Sequence, residues 1–174
     1  MADQPGDDGG RGDGAAGLLA ARLAEAGSVL LGRSLAVRHV DAGSCGGCEI
    51  SLRGARVLRE GLTRFGISMV DDPREADVLL VTGVATATLA DAVRRTLEAM
   101  APPRFVVAVG DCALDGGVFK GAPNVMGGAE RVVTVDLLIA GCPPSPGRII
   151  AGLVALVEAN APPVKRRSRI EPHA

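Results

Sequence analysis

Aromatic residues are almost missing from this chain, which has three Phe and neither Tyr nor Trp among its 174 residues. Proteins that bind single-stranded nucleic acid stack bases on aromatic side chains, so the composition argues against that class. A surplus of charge of one sign is missing too, because the formal net charge is −1. No long-range field therefore attracts nucleic acid, and we expect none as a partner.

Long apolar runs and a secretory leader are also missing. No apolar run reaches the ~18–20 residues of a membrane-spanning helix. The N-terminus is acidic and rich in glycine, unlike the basic and apolar regions of a secretory signal. We therefore expect a cytoplasmic protein. Thiols stay reduced in that compartment, where clustered cysteines more often bind metal or do chemistry than form disulfides.

Apolar residues make up 47% of the chain, which is enough for one domain with a core of Val, Leu, Ile and Ala. We expect four regions along the chain. They are a disordered tail (1–17), an amphipathic segment (18–33), the folded domain (34–160) and a basic tail (161–174).

Strand-like and helix-like segments alternate within the domain. The predicted strands are 34–40, 66–71, 76–83, 104–110 and 132–141, and the predicted helices are 48–65, 88–100 and 145–160. Thr88 is predicted to cap the second helix, and Ser145 with Pro146 the third. Nearly continuous apolar strands between helices indicate a parallel sheet covered on both faces. The sequence predicts an α/β, flavodoxin-like fold.

Four cysteines follow the predicted strands. Cys45 and Cys48 come after the first strand, Cys112 lies two residues beyond the fourth, and Cys142 comes directly after the fifth. Ligands of open parallel sheets bind beyond the carboxyl ends of the strands. Three strand ends are therefore expected to bring four thiols to one edge.

Four interpretations of these thiols remain open from the residues alone. A redox dithiol at a helix start needs only Cys45 and Cys48. A structural zinc site typically uses two close ligand pairs, and only one pair is close here. A 4Fe–4S cluster takes four thiolates, which separate loops of a folded domain can supply. Unligated buried cysteines are the fourth possibility.

Three motifs resemble one known family. "SCGGCE", "PRFVVAVGDCALDGGVF" and "GCPPSPGRIIAGL" are similar to the small subunits of NiFe hydrogenases and the 20 kDa (B) subunit of complex I, over residues 34 to 156. The resemblance implies one 4Fe–4S cluster, with Cys45, Cys48, Cys112 and Cys142 as its ligands.

The first motif and the chain length favour one branch of that family. Complex I subunits have two adjacent cysteines at the first motif, whereas "CGGCE" has the hydrogenase spacing. The chain is similar to the short, one-cluster small subunits of energy-converting, formate-hydrogenlyase-like hydrogenases. This likeness implies an electron-transfer subunit on the cytoplasmic face of the membrane. Its implied partners are a NiFe large subunit, a ferredoxin-like iron–sulfur subunit and membrane-arm subunits.

Two other functions remain alternatives. One is a quinone-reducing, complex I-like module without nickel, and the other is a zinc-stabilised scaffold domain. If the thiols hold a cluster, the cysteine edge needs a cover, so loops 42–48, 83–88, 111–125 and 142–146 are expected to contact the large subunit.

Several polar residues near the cysteines have two interpretations. Glu49 is a candidate for proton handling or for contact with the large subunit, or it is simply an acid favoured in the first turn of a helix. Asp111 and Asp115 flank Cys112 and are expected to be solvated loop residues. His39 lies on a strand and is expected to be structural.

Overall fold

A computed structural model of the chain describes residue 21 and residues 33–57 and 61–161. The strands are β1 (Leu35–Asp41), β2 (Ile67–Met69), β3 (Val78–Thr82), β4 (Ala85–Thr86), β5 (Phe105–Val109), β6 (Val125–Gly127) and β7 (Leu137–Ile139). The α-helices are α1 (Gly47–Val57), α2 (Gly61–Arg64), α3 (Ala90–Ala99), α4 (Asp111–Asp115) and α5 (Pro146–Asn160). Single 3-10 turns are formed by Pro73–Glu75, Gly117–Phe119 and Ala129–Arg131.

The chain ends are not covered by this description. The predicted tail at 1–17, nearly all of the amphipathic segment at 18–33 and nearly all of the basic tail at 161–174 lie outside the described residues. Among the residues that are described, no helix combines the length and apolarity needed to cross a membrane.

Five strands form one parallel sheet in the order β2-β1-β3-β5-β7. Numbered only among themselves, these strands have the order 2-1-3-4-5, which is the flavodoxin-like arrangement. The central strand β3 is buried along its whole length, as expected for a parallel strand covered on both faces. The predicted α/β, flavodoxin-like fold is confirmed.

Two hydrophobic cores lie on opposite faces of the sheet. Along β3, Val78 and Leu80 belong to the first core, and Leu79 and Val81 to the second, because successive strand side chains point to opposite faces. Helices α1 and α5 supply the first core, whereas α3 and α4 supply the second. The sheet is therefore closed on both faces within the described part of the chain.

The predicted strand 132–141 is too long. Pairing with β5 is limited to Leu137–Ile139, opposite Val107–Val109. The preceding Val132, Val133 and Val135 are half-buried and pack against the second core instead. An apolar run does not by itself show whether its residues pair with a strand or pack against a face.

The predicted helix 48–65 is helical in both of its described parts. Helix α1 covers Gly47–Val57 and the short helix α2 covers Gly61–Arg64, and residues 58–60 lie outside the described part of the chain. The chain then turns at Gly66, whose φ of +65° is the left-handed conformation that commonly ends a helix. This glycine begins the connection to β2.

One predicted helix cap is wrong and the other is confirmed. Helix α3 begins after Leu89, which has helical backbone angles, and no side chain caps it. Residues 87–89 form a turn, so Thr88 does not stand at the cap position. Ser145 does cap α5, because its hydroxyl accepts a 3.3 Å hydrogen bond from Arg148 N, with Pro146 as the first helical residue.

A small antiparallel pair, β4 with β6, is absent from the strands that the sequence predicts. It lies beside helix α4, and the Ala87 N–H reaches the Asn124 carbonyl at 3.0 Å. The segment after Cys112 is therefore anchored to the loop after β3.

Candidate metal centre

The four cysteines lie beyond the carboxyl ends of three parallel strands. Cys45 follows β1, and Cys48 lies in the first turn of α1. Cys112 lies in the first turn of α4 after β5, and Cys142 lies between β7 and α5. Since these strands are parallel, all four thiols are at the same edge of the sheet. All four are free, and Cys45 and Cys142 are exposed.

Glycines let two of the cysteine loops approach each other closely. A β-carbon added at Gly110 would lie only 2.5 Å from Cys48 Sγ, and one added at Gly117 would lie 3.0 Å from Cys112 Sγ. Gly47 lies against both Cys45 Sγ and the ring of Pro143, at 3.6 and 3.9 Å from its added β-carbon. The backbone at this edge leaves space for sulfur atoms and little for additional side chains.

The thiols are electrostatic neighbours. Burial, then Glu49 and the other three cysteines, raises the pKa of Cys48 to about 11. Burial, then Cys142, Cys45 and two flanking aspartates, also raises the pKa of Cys112. Four thiolates so placed repel one another, and bound metal would relieve this because thiols coordinate as thiolates. The donor set therefore fits a cationic, sulfur-loving centre.

A redox dithiol accounts for only part of this edge. Such a site needs only the two thiols of Cys45 and Cys48. It gives no role to Cys112 and Cys142, which lie at the same edge of the sheet.

A site for one metal ion is not formed in this arrangement. Among the described residues, no three His, Cys, Asp or Glu side chains lie close enough to hold one ion. A tetrahedral zinc site with Zn–S bonds of ~2.3 Å would need its sulfurs about 3.8 Å apart. A 4Fe–4S group would bind each of the four thiolates through a different iron atom.

The Glu49 carboxylate links the loop that carries Cys45 and Cys48 to strand β3. It accepts a 2.5 Å hydrogen bond from Ser44 Oγ and a short one from Thr82 Oγ1. Burial by itself would raise the pKa of Glu49, but these hydrogen bonds outweigh it and lower that pKa. Glu49 is therefore an ionised carboxylate that ties the loop to the end of β3.

His39 completes this polar group. Its Nε2 lies 2.8 Å from Thr82 Oγ1 and 3.6 Å from Glu49 Oε1. Burial lowers the pKa of His39 in spite of the nearby carboxylates. The histidine is a hydrogen-bonding partner of the buried Thr82, in keeping with a structural role.

Sequence reasoning did not identify Ser44, Thr82 or Asp41. Asp41 Oδ1 accepts hydrogen bonds from the N–H groups of Gly43 and Ser44, at 2.8 and 2.6 Å. Thr82 is fully buried and is the one polar residue of β3. A polar residue at the end of an otherwise apolar strand is the signal that could have pointed to it.

The expectation for Asp111 is wrong. Asp111 is half-buried, and its Oδ1 accepts a 2.7 Å hydrogen bond from Gly141 N in the loop of Cys142. Asp115 is the exposed residue of the pair, and it contacts Gly117 N and Lys120 Nζ at 2.9 and 3.1 Å.

Apolar side chains are exposed near the cysteines. Ile50 follows Cys48, and Leu114, Val118 and Phe119 follow Cys112. Met126 of β6 is also exposed, beside an open groove of about 610 Å³ that Leu114, Val125, Lys120 and Arg131 help to line. Leu114, Val118 and Phe119 lie within one short segment after Cys112, and exposed apolar side chains grouped in this way are typical of a protein contact.

Known proteins are similar to this chain in sequence and in fold. The family profile described as "NADH ubiquinone oxidoreductase, 20 Kd subunit" matches residues 45–156, which include all four cysteines. The probable membrane-bound hydrogenase subunit mbhJ of Pyrococcus furiosus is 39% identical over 135 residues, 78% of this chain and 81% of that protein. An NADH-quinone oxidoreductase subunit of Amoebophilus asiaticus is 38% identical over 112 residues, 64% of this chain and 70% of that protein.

A solved structure agrees with these relatives. A chain in the structure of the membrane-bound sulfane sulfur reductase (MBS), an archaeal respiratory membrane complex, matches with a TM-score of 0.63 at 30% identity. The match covers 79% of this chain and 76% of that chain. The resemblance seen in the three cysteine motifs is confirmed, and the chain belongs to the family of the 20 kDa subunit of NADH:ubiquinone oxidoreductase, which includes subunits of membrane-bound hydrogenases.

Proposed function

We propose that this chain is an electron-relay subunit of a membrane-associated NiFe-hydrogenase complex of the formate-hydrogenlyase-like type. Cys45, Cys48, Cys112 and Cys142 would hold one 4Fe–4S cluster. The observation that carries the proposal is that three parallel strands deliver four free thiols to one edge. The family supports the oxidoreductase assignment, because the relatives named above are subunits of hydrogenases or NADH-quinone oxidoreductases.

The bound cluster would supply one-electron transfer between two partners. The chain's own residues hold it in place and control its surroundings. Soft thiolates coordinate iron, and the glycines at 110 and 117 keep side chains out of the space around Cys48 and Cys112. Glu49 and Asp41 fix the loop that carries the first two thiols. No residue of this chain needs to act on a substrate.

The exposed apolar residues near Cys48 and Cys112 are proposed as the contact with the large subunit. Covering this edge would shield the cluster from water and oxidants. A ferredoxin-like iron–sulfur subunit would continue the electron path, and membrane-arm subunits would hold the complex at the inner face of the cell membrane.

The hydrogenase form rests on two observations. "CGGCE" spaces the first two cysteines three apart, so both reach the edge from one loop-to-helix turn. The hydrogenase relative from Pyrococcus furiosus also matches 78% of this chain, whereas the NADH-quinone oxidoreductase subunit matches 64%. The second candidate is a quinone-reducing module without nickel, which the matching family profile favours.

Nickel content separates these two candidates. The chain has four cysteines in all, and the cluster would use every one, so the nickel site must belong to a partner. We expect the complex purified through this chain to contain nickel and to oxidise or evolve hydrogen with a low-potential dye. The isolated chain should have no such activity. A complex with intact iron–sulfur clusters but neither nickel nor hydrogen activity would support the quinone-reducing module instead.

A further inference from the structure

Asp111 and Gly141 join the loops of two cysteines by a pair of reciprocal hydrogen bonds. The N–H of Asp111 donates to the Gly141 carbonyl at 2.9 Å, and the Asp111 carboxylate accepts from the Gly141 N–H at 2.7 Å. Asp111 is directly followed by Cys112, and Gly141 is directly followed by Cys142. The pair therefore sets the distance between the two loops one residue away from each thiol.

This pair is the main attachment of the Cys142 loop. In the part of the chain that the structure describes, residues 140–144 make their hydrogen bonds through Gly141, and both go to Asp111. Gly141 has a φ of +142°, and a β-carbon there would lie 2.7 Å from Pro144 Cα. The loop thus depends on Asp111 for polar attachment and on Gly141 for its shape.

The same arrangement occurs at the other end of the same two strands. The N–H of Asp136 donates to the Val106 carbonyl at 2.9 Å, and its carboxylate accepts from the Val106 N–H at 2.7 Å. Asp136 precedes β7, so this second pair joins β5 to β7 at the edge away from the cysteines. The two pairs have the same hydrogen-bonding pattern. Only the Asp111–Gly141 pair lies next to cysteines.

We propose that Asp111 is a positioning residue that holds the Cys142 thiol at the distance from Cys112 that a shared cluster requires. This inference rests on the proposed function, since it presumes that both thiols bind the same cluster. The carboxylate acts through the hydrogen bond to Gly141 and does not itself coordinate iron. Positioning depends on the Asp111 oxygen that accepts this hydrogen bond, and it does not depend on the negative charge of the carboxylate.

The test compares four variants of the full chain, produced with its partner subunits and purified without oxygen. Asp111→Ala removes the acceptor, Asp111→Asn keeps an acceptor oxygen without the charge, and Asp111→Glu keeps the charge but moves the acceptor by one methylene. Asp136→Ala is the matched control, because it removes the equivalent bond at the far end. Iron loss to a chelator, the electron paramagnetic resonance (EPR) spectrum of the reduced protein and the Tm are measured for each.

We expect Asp111→Ala to lose iron roughly tenfold faster than wild type and to show an altered EPR spectrum, because the Gly141 N–H loses its acceptor and the Cys142 loop its attachment. Asp111→Asn should restore the wild-type rate and spectrum. Asp136→Ala should lower the Tm as Asp111→Ala does, yet keep the wild-type rate and spectrum. If Asp111→Ala does not accumulate, Asp111→Glu takes its place and should show the same faster loss.

Three results would overturn the inference. Equal iron loss in Asp111→Ala and Asp136→Ala would mean that the bond only stabilises the fold. Failure of Asp111→Asn to restore the cluster would mean that charge is what matters. A wild-type rate and spectrum in both Asp111→Ala and Asp111→Glu would remove the positioning role. Wild-type protein without iron and sulfide would instead contradict the proposed function, before any variant is compared.

Discussion

Gly110 shows how strongly single residues constrain the cysteine edge. Its φ is +94°, a conformation that side chains rarely adopt, and an added β-carbon would lie 2.5 Å from Cys48 Sγ. The atom it would meet is the sulfur of a proposed ligand. Cys48 Sγ can therefore occupy its position only because residue 110 is a glycine.

We predict that Gly110→Ala lowers the iron content of the purified protein, because the methyl group displaces Cys48 Sγ. The matched control is Gly147→Ala in the first turns of α5, where an added β-carbon has no neighbour within 4 Å. That control should keep its iron, and alanine is a better helix former than glycine. Iron analysis and the Tm of both variants provide the measurement. Full iron content and an unchanged EPR spectrum in Gly110→Ala would show that Cys48 does not need this space.

At the scale of elements, the segment from α4 to β6 is the part of the domain most suited to a partner. It carries Cys112, and its side chains Leu114, Val118, Phe119 and Met126 are exposed. The segment is held from behind, since β6 pairs with β4 and α4 packs on the second core. An apolar surface that is packed from behind and lies beside a proposed redox centre would suit a large subunit.

We predict that Val118→Glu prevents co-purification of the large subunit without unfolding the chain. Val118 is 84% exposed, so the change removes little packing in the free domain but places a charge in the proposed contact. Ala151→Glu is the control, because it adds the same charge at an exposed position of α5. Pull-down through this chain, with the Tm as a check on folding, measures the effect. Normal recovery of the large subunit with Val118→Glu would place the contact elsewhere.

Elements with a strong local pattern could be predicted from the sequence. The central strand β3 is apolar from Val78 to Val81, and α5 has both its Ser145 cap and Pro146. The pair β4–β6 could not be predicted, because strands of two and three residues have no pattern of their own. The predicted strand at 132–141 is longer than β7 because pairing with β5 is decided by distant residues.

The candidate site shows the same division between local and distant information. The cysteines are visible in the sequence because each follows a strand. The role of Asp111 is not visible, because its partner Gly141 is distant in the chain and close only after folding. The same holds for Thr82 and Glu49, which belong to different elements and meet at the end of β3. The shared position of the four cysteines could be predicted from the sequence, but the hydrogen-bonding partners around them could not.

At the scale of the whole molecule, the proposed site lies at one edge of the sheet. Both faces of the sheet are covered by helices, and the four thiols share the carboxyl edge. The net charge of −1 provides no strong field for steering a partner, so contact would depend on local apolar surface. This arrangement agrees with the proposed role, in which the domain would present one centre to its partners.

The central claim is that the four thiols together hold one 4Fe–4S cluster, and metal and sulfide analysis tests it most directly. Full-length chain matured in a host that assembles iron–sulfur clusters, and purified without oxygen, should contain about four iron and four acid-labile sulfide per chain. The same protein should contain no stoichiometric zinc. One zinc per chain with no sulfide would contradict the account.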